Sequence, residues 1–297
     1  MSRYRHVSTM KAEGFSIHAA CAAAEVSTSA YYDWMVKAGG PTDAEWDEAI
    51  LVNEMIEVHR TLDDTYGSPR MTDELARRGF CVNHKRTERL MAEHGLYAKD
   101  GRRKKVRTTI PDVTAPPLPD LVRRDFTVGE PGQRTCGDIT YIPTDEGWLY
   151  LADVLDLGSR RIVGFAMGER MPWELVGSAM EMAIATRGCD VEGMIFHHDR
   201  GAQYLSRDFR MLCAKHRIDQ SVGRIGSSQD NAVAESFWAS LKRELVSRYR
   251  FATRADARRA IIAWINHYNA VRLHSSLGNV PPIEWELRFT RSQLQAA

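Results

Sequence analysis

Three acidic residues carry the most chemical promise in this chain. Asp138 lies in TCGDITYIP, Asp199 ends GMIFHHD, and Glu235 sits within QDNAVAESFWASLKRE. Carboxylates are the hard oxygen donors that Mg²⁺ prefers, and Mg²⁺ usually keeps several of its waters. Three carboxylates from three separate elements can hold two divalent ions about 3.5–4 Å apart. Such a site activates an attacking oxygen and stabilises the leaving one in phosphodiester exchange, so it suits the cutting and joining of DNA strands. No histidine or cysteine cluster is needed. The 35 residues between Asp199 and Glu235 carry little weight alone in a chain with 39 acids. The weight comes from the elements that must deliver each acid.

GMIFHHD reads as a short buried strand with Asp199 at its carboxyl end. Arg134–Ile142 reads as another strand, with Asp138 in its middle. Ser228–Asn231 is a polar turn rich in capping residues, and a helix begins near Ala232. Within that helix Val233, Phe237, Leu241 and Leu245 recur every four residues as an apolar stripe. Glu235 falls in the first turn on a neighbouring face, and Lys242 lies seven residues later on that same face. A carboxylate and an amine so placed suit a metal ion and a DNA phosphate. Arg224, in the loop SVGRIGSSQDN before the helix, is a second phosphate candidate. Asp153 and Asp156 are rival acids, and Asp156 precedes a Gly-Ser turn where a capping role fits better.

Around these residues the pattern is a mixed α/β sheet with packed helices. Strands are expected at 148–155 and 161–167, a helix at 173–186, the Asp199 strand, a helix near 206–216 and a short strand at 219–222. This core spans 122–250. A helical tail, 251–297, follows. Its apolar side is Ile261, Ile262, Trp264, Ile265 and Tyr268, its HYNAVRLHSSLG segment braces the core, and its last residues, RSQLQAA, fray.

The amino-terminal part is all-α. Residues 1–40 form a small helix-turn-helix-like unit, with Ser27 placed as a cap and Tyr31, Tyr32 and Trp34 as core. An acidic amphipathic helix covers 41–64, with Ile50, Met55, Ile56 and Val58 on its apolar face. Residues 65–98 form a second helix-turn-helix, in which Gly79 and Gly95 close the helices and Asn83 caps the latter one. His84, Lys85, Arg86 and Arg89 open that helix, where a recognition helix faces the groove. A basic and proline-rich linker, 99–121, carries Arg102, Arg103, Lys104 and Lys105, which suit a phosphate backbone.

The 297 residues are 43% hydrophobic and 27% charged, with a net charge of +1. That balance is ordinary for a globular protein. The charge is unevenly spread: Tyr66–Arg107 has twelve bases against five acids, and Ser236–Arg259 seven against two. Local basic stretches of this kind meet phosphates. Five scattered cysteines suit reduced thiols in a cytoplasm, not a disulfide framework. No apolar run suggests a membrane span, and the start has no secretory pattern.

The segments GDITYI, GWLYLADVLDLGSRRIVGFAM, HHDRGAQY, QDNAVAESFWASLKRE and HYNAVRLHSSLG occur in this order within Gly137–Gly278, and the likeness they carry covers roughly Tyr66–Glu286. The chain thereby resembles the second reading-frame product of the transposases numbered three among bacterial insertion sequences. The resemblance implies a ribonuclease-H-like core similar to retroviral integrase, and an Asp-Asp-Glu triad at Asp138, Asp199 and Glu235. It implies Mg²⁺, with Mn²⁺ substituting, and Lys242 touching the transposon end. It implies as partners the insertion-sequence terminal repeats and target DNA, a homo-oligomer on DNA, and an upstream-frame product or fusion. His198 stands where the family usually has Ser, Gln229 where an aromatic is common, and Thr135 and Cys136 where a Trp often precedes the first aspartate. None of these departures removes a carboxylate. The rival expectations are a related metal-dependent nuclease, or a DNA-binding regulator with an inactive core.

Overall fold

The computed structural model describes residues 3–38, 42–98, 118–223 and 232–296. The chain divides into two compact units, Met1–Ala98 and Lys99–Ala297.

The first unit is helical. Helices α1 (Arg3–Ala12), α2 (Ile17–Ala23) and α3 (Thr28–Ala38) pack around Val7, Ala20, Cys21 and Tyr31. The first of these helices was not expected from the sequence, because its burial rests on a single residue, Val7. Ser27 caps α3 by accepting from the Ala30 amide at 3.1 Å. Tyr31 is buried, whereas Tyr32 is exposed. Helix α4 (Asp43–Thr61) opens on a capping box between Thr42 and Glu45. Its buried face is Leu51, Val52, Met55 and Val58. Ile50 and Ile56 lie outside that face and are exposed, contrary to expectation. Helices α5 (Ser68–Arg77) and α6 (His84–Glu93) follow. Gly79 takes φ +91, a left-handed turn that glycine adopts without strain, and Asn83 accepts from the Arg86 amide at 2.8 Å.

The second unit is a six-stranded mixed sheet with helices on both faces. Its strands are β1 (Arg134–Cys136), β2 (Ile139–Thr144), β3 (Gly147–Asp156), β4 (Ile162–Gly168), β5 (Ile195–His198) and β6 (Asp219–Val222). β3 pairs antiparallel with β4 along one edge and with β2 and β1, end to end, along the other. β1, β5 and β6 run parallel. The single strand expected over 134–142 is thus broken at Gly137–Asp138. A Cβ on Gly137 would meet Phe196 Cζ at 2.6 Å and the Asp153 carbonyl at 2.7 Å, so only glycine lets the chain pass there.

One face is covered by α7 (Trp173–Thr186), the short α8 (Ala202–Leu205) and α9 (Arg207–Lys215). Met180, Ala183, Phe209 and Cys213 pack there on Val154, Val163 and Phe196. The opposite face takes α10 (Ala232–Leu241) and α11 (Arg254–Ala270), whose Phe237, Leu241, Ile261 and Ile265 pack on Ile142, Leu149 and Leu151. Burying one such side chain contributes about 1.5–3 kcal/mol, so α11 is integral to the core. Ile262, expected on its apolar side, is exposed. A last helix, α12 (Pro282–Ala296), continues through the residues expected to fray. Asn269 braces β4, donating to the Ile162 carbonyl and accepting from its amide, both at 2.9 Å. Among the described residues no helix is long and apolar enough to cross a membrane.

Candidate active site

The sheet register sets the first two acids side by side. Thr135 pairs with Phe196 and Cys136 with His197. Gly137 continues the ladder, its amide donating to the His197 carbonyl at 2.9 Å. Two residues beyond Cys136 and two beyond His197 stand Asp138 and Asp199, level with each other at the carboxyl ends of adjacent parallel strands.

Each is held by its own local bonds. Asp138 Oδ1 accepts from the Ile139 amide at 2.7 Å, and Oδ2 from the Trp238 indole at 3.2 Å. Its own amide donates to Asp153 Oδ1 at 3.0 Å. Asp199 Oδ1 accepts from the Gly201 amide at 2.9 Å. Beneath it, buried His198 stacks on Tyr204 with ring centroids 4.8 Å apart. The Gln220 amide nitrogen lies 3.2 Å from His198 Nε2, which puts the imidazole proton on Nδ1, donating to the Asp199 carbonyl at 2.6 Å. Burial pushes the His198 pKa down to about 4, so the ring stays neutral.

Glu235 is exposed in the first turn of α10. Trp238 follows one turn later and Lys242 one turn after that, so the three share a face. That face meets Asp138: Trp238 bonds to it, and the charges of both Glu235 and Lys242 are felt across it. The Lys242 Nζ also stands 5.5 Å above the Tyr141 ring. Burial raises the Asp138 pKa to about 7, with the negative charge of Asp199 next and that of Glu235 a smaller contributor. The Ile139 and Trp238 hydrogen bonds oppose the rise.

Among the described residues, no three His, Cys, Asp or Glu side chains are closed on a common metal-binding point. The donor chemistry nevertheless fits a divalent cation. Asp138 is a hard oxygen donor raised towards neutrality by burial and by two further carboxylates, and a nearby cation reverses that shift.

The rival acids have other work. Asp156 accepts from the amides of Gly158 at 2.8 Å, Ser159 at 2.9 Å and Gly132 at 2.6 Å, and from Arg187 at 2.7 Å, so it ties a turn to α7. Asp153 lies buried behind Asp138, and burial pushes its carboxyl well above the usual range.

The other candidate residues divide by place. Arg102, Arg103, Lys104, Lys105 and Arg224 lie outside the described residues. In the first unit, His84 Nε2 is 3.1 Å from Ser68 Oγ, and Lys85 is exposed on α6. Arg86 and Arg89 both donate to Glu48 of α4, at 3.1 and 2.9 Å. Sequence reasoning missed Trp238, Tyr204 and Gln220. The spacing of Trp238 from Glu235 and Lys242 was a usable signal for the first.

Comparison with known proteins agrees with this architecture. The integrase core domain family matches residues 129–228, a second integrase core domain family matches 216–282, and an HTH-like domain matches 45–105. The chain is 34% identical over 288 residues to transposase InsF for insertion sequence IS3A of Escherichia coli strain K12, covering 96% of this chain and 98% of that one. It is 38% identical over 270 residues to the uncharacterized 31 kDa protein of insertion element IS600 from Shigella sonnei, covering 91% and 98%. The HTLV-2 integrase catalytic core domain superposes with a TM-score of 0.42 at 17% identity, over 52% of this chain and 97% of that one, a likeness too loose to carry weight by itself. The fold is that of an integrase catalytic core preceded by a helical region with an HTH-like domain, and the chain belongs to the IS3-type family of insertion-sequence transposases.

Proposed function

We propose that this DNA transposase cuts and joins strands at insertion-sequence ends with Asp138, Asp199 and Glu235 as its metal-holding triad. The observation that carries the reading is the level placement of Asp138 and Asp199, with the face formed by Glu235 and Trp238 of α10 and Lys242 of the π-helical turn that continues it laid across Asp138. Mg²⁺, or Mn²⁺ in its place, would be held by the three carboxylates, and when bound supplies activation of the attacking hydroxyl and stabilisation of the leaving oxygen. The chain's own groups do the rest. Trp238 and the Ile139 amide hold the Asp138 carboxylate in one orientation, and His198 holds the backbone beneath Asp199. Lys242 binds a phosphate of the DNA end. A water or a DNA 3′-hydroxyl attacks in line, with no covalent link between protein and DNA.

The α6 helix, through His84, Lys85, Arg86 and Arg89, grips the terminal repeats, with the basic residues 102–105 and Arg224 as further phosphate contacts. Two DNA ends call for a homo-oligomer on DNA, and an upstream-frame product is a partner or fusion in the active form. Glu235→Gln tests the assignment. The variant is expected to keep gel-shift binding to the terminal repeat and to lose Mg²⁺-dependent cleavage; retained cleavage rejects the triad.

A further inference from the structure

The acidic helix α4 sits with its charge against the basic helix α6. Glu48 Oε2 accepts from Arg86 Nη2 at 3.1 Å and from Arg89 Nη2 at 2.9 Å. Arg89 Nη1 also donates to Glu93, at 2.8 Å. One carboxylate therefore engages two guanidinium groups on the helix read above as the DNA-gripping one. Both side chains remain part-exposed, Arg86 at 42% and Arg89 at 48%, so neither is sequestered in the core. The arrangement places an internal anion on the two cations that a phosphate would also engage. Lys85, immediately before Arg86, is exposed and lies outside this pair of contacts.

A surface ion pair contributes little to folding, because solvent screens it and holding two long side chains together costs entropy. Glu48 is thus poorly explained as a stability device. Its effect falls on what the arginines do when DNA arrives. A backbone phosphate must displace or share a carboxylate that is already bonded, which weakens contacts made anywhere along a duplex. A docked recognition helix gains from side chains already held in one orientation, since less rotamer freedom is lost on binding.

We propose that Glu48 is a specificity-determining residue, holding Arg86 and Arg89 back from indiscriminate phosphate contact while orienting them for the terminal repeat. The proposal rests on α6 being the DNA-gripping helix.

The test measures equilibrium binding of the full chain to two duplexes of equal length over a salt series. One duplex carries the repeat that flanks the coding sequence and the other a shuffled version. Each additional phosphate contact steepens the log–log salt dependence by about 0.9. Glu48→Gln is therefore expected to steepen the slope on shuffled DNA by about 1 to 2, and to tighten that binding at least roughly threefold at low salt. Binding to the repeat should tighten less, so the ratio between the two duplexes narrows. An unchanged slope and affinity, or equal tightening on both duplexes, would overturn the proposal. Lys85→Ala separates this from failure of the underlying reading. If α6 grips DNA, that variant weakens binding to both duplexes. If Lys85→Ala changes nothing, α6 is not the DNA-gripping helix and the Glu48 inference falls with it.

Discussion

The Trp238 indole donates to Asp138 Oδ2 at 3.2 Å, tying the helix that carries Glu235 to the strand break that carries Asp138. Trp238 is also buried among Phe237, Leu241 and the sheet, so the tie is anchored in the core. A hydrogen bond to a charged group contributes about 1.5–3 kcal/mol. Trp238→Phe keeps most of the packing and removes the donor. We expect strand cleavage to slow by roughly ten- to a hundredfold in single-turnover assays. The unfolding midpoint should move far less than the rate. A wild-type rate in this variant contradicts a role for the tie in positioning Asp138.

The pKa of Asp138 gives a signed pH dependence. Its folded value of about 7 lies above the ordinary carboxylate range, so the folded state binds this proton more tightly than the unfolded state does. In metal-free protein that contribution is fully present below about pH 4 and is lost as pH rises through about 7. Divalent binding competes with the same proton. The thermal shift produced by Mg²⁺ should therefore be larger at pH 8 than at pH 6. Asp138→Asn should abolish the difference and make the metal-free protein more stable at pH 8. A Mg²⁺ shift independent of pH would count against Asp138 as a ligand.

Arg272 and Glu244 form a buried pair, with contacts of 2.7 to 3.1 Å, linking the end of α11 to the π-helical turn Lys242–Val246. Removing one partner strands a buried charge and costs about 3–5 kcal/mol. Urea unfolding of Arg272→Met should show a loss of that size. Pairing it with Glu244→Leu should recover much of it, because a well-packed apolar pair often equals a buried ion pair. If the double variant is as unstable as the single, the charge pair is not the source of the loss.

Gly137 is a steric requirement of the site. With Phe196 Cζ at 2.6 Å and the Asp153 carbonyl at 2.7 Å from an added Cβ, Gly137→Ala must move backbone or a buried ring. Overpacking of this kind costs about 1–3 kcal/mol. It would also shift Asp138, the next residue. We expect a lower unfolding midpoint together with reduced cleavage, measured by calorimetry and single-turnover kinetics. Unaltered values for both would show that the strand break is not sterically enforced.

Much of the catalytic unit was legible in the sequence, for reasons specific to its elements. Helix α7 runs from Trp173 to Thr186 as read, because apolar residues at 175, 176, 179, 180, 183 and 184 keep a helical period. β6 at Asp219–Val222 likewise matched. The break between β1 and β2 was not legible, since it comes from Phe196 of another strand and leaves no local periodic trace. Pro282, a breaker on its face, starts α12 at a position where its missing amide costs nothing. Trp238 drew no reading of its own beside the stripe of Val233, Phe237, Leu241 and Leu245, because a propensity argument does not see its indole donor. On α4 the buried set Leu51, Val52, Met55 and Val58 competes with other apolar positions, and packing chose between them.

The most direct measurement is a cleavage and joining assay on a supercoiled plasmid carrying the flanking repeats, with the upstream-frame product fused to this chain. Wild type and Asp199→Asn are compared with Mg²⁺ and with chelator. The account predicts Mg²⁺-dependent nicking at the repeat ends and joined products from wild type, and neither from the variant. Nicking and joining by Asp199→Asn at the wild-type rate would contradict it.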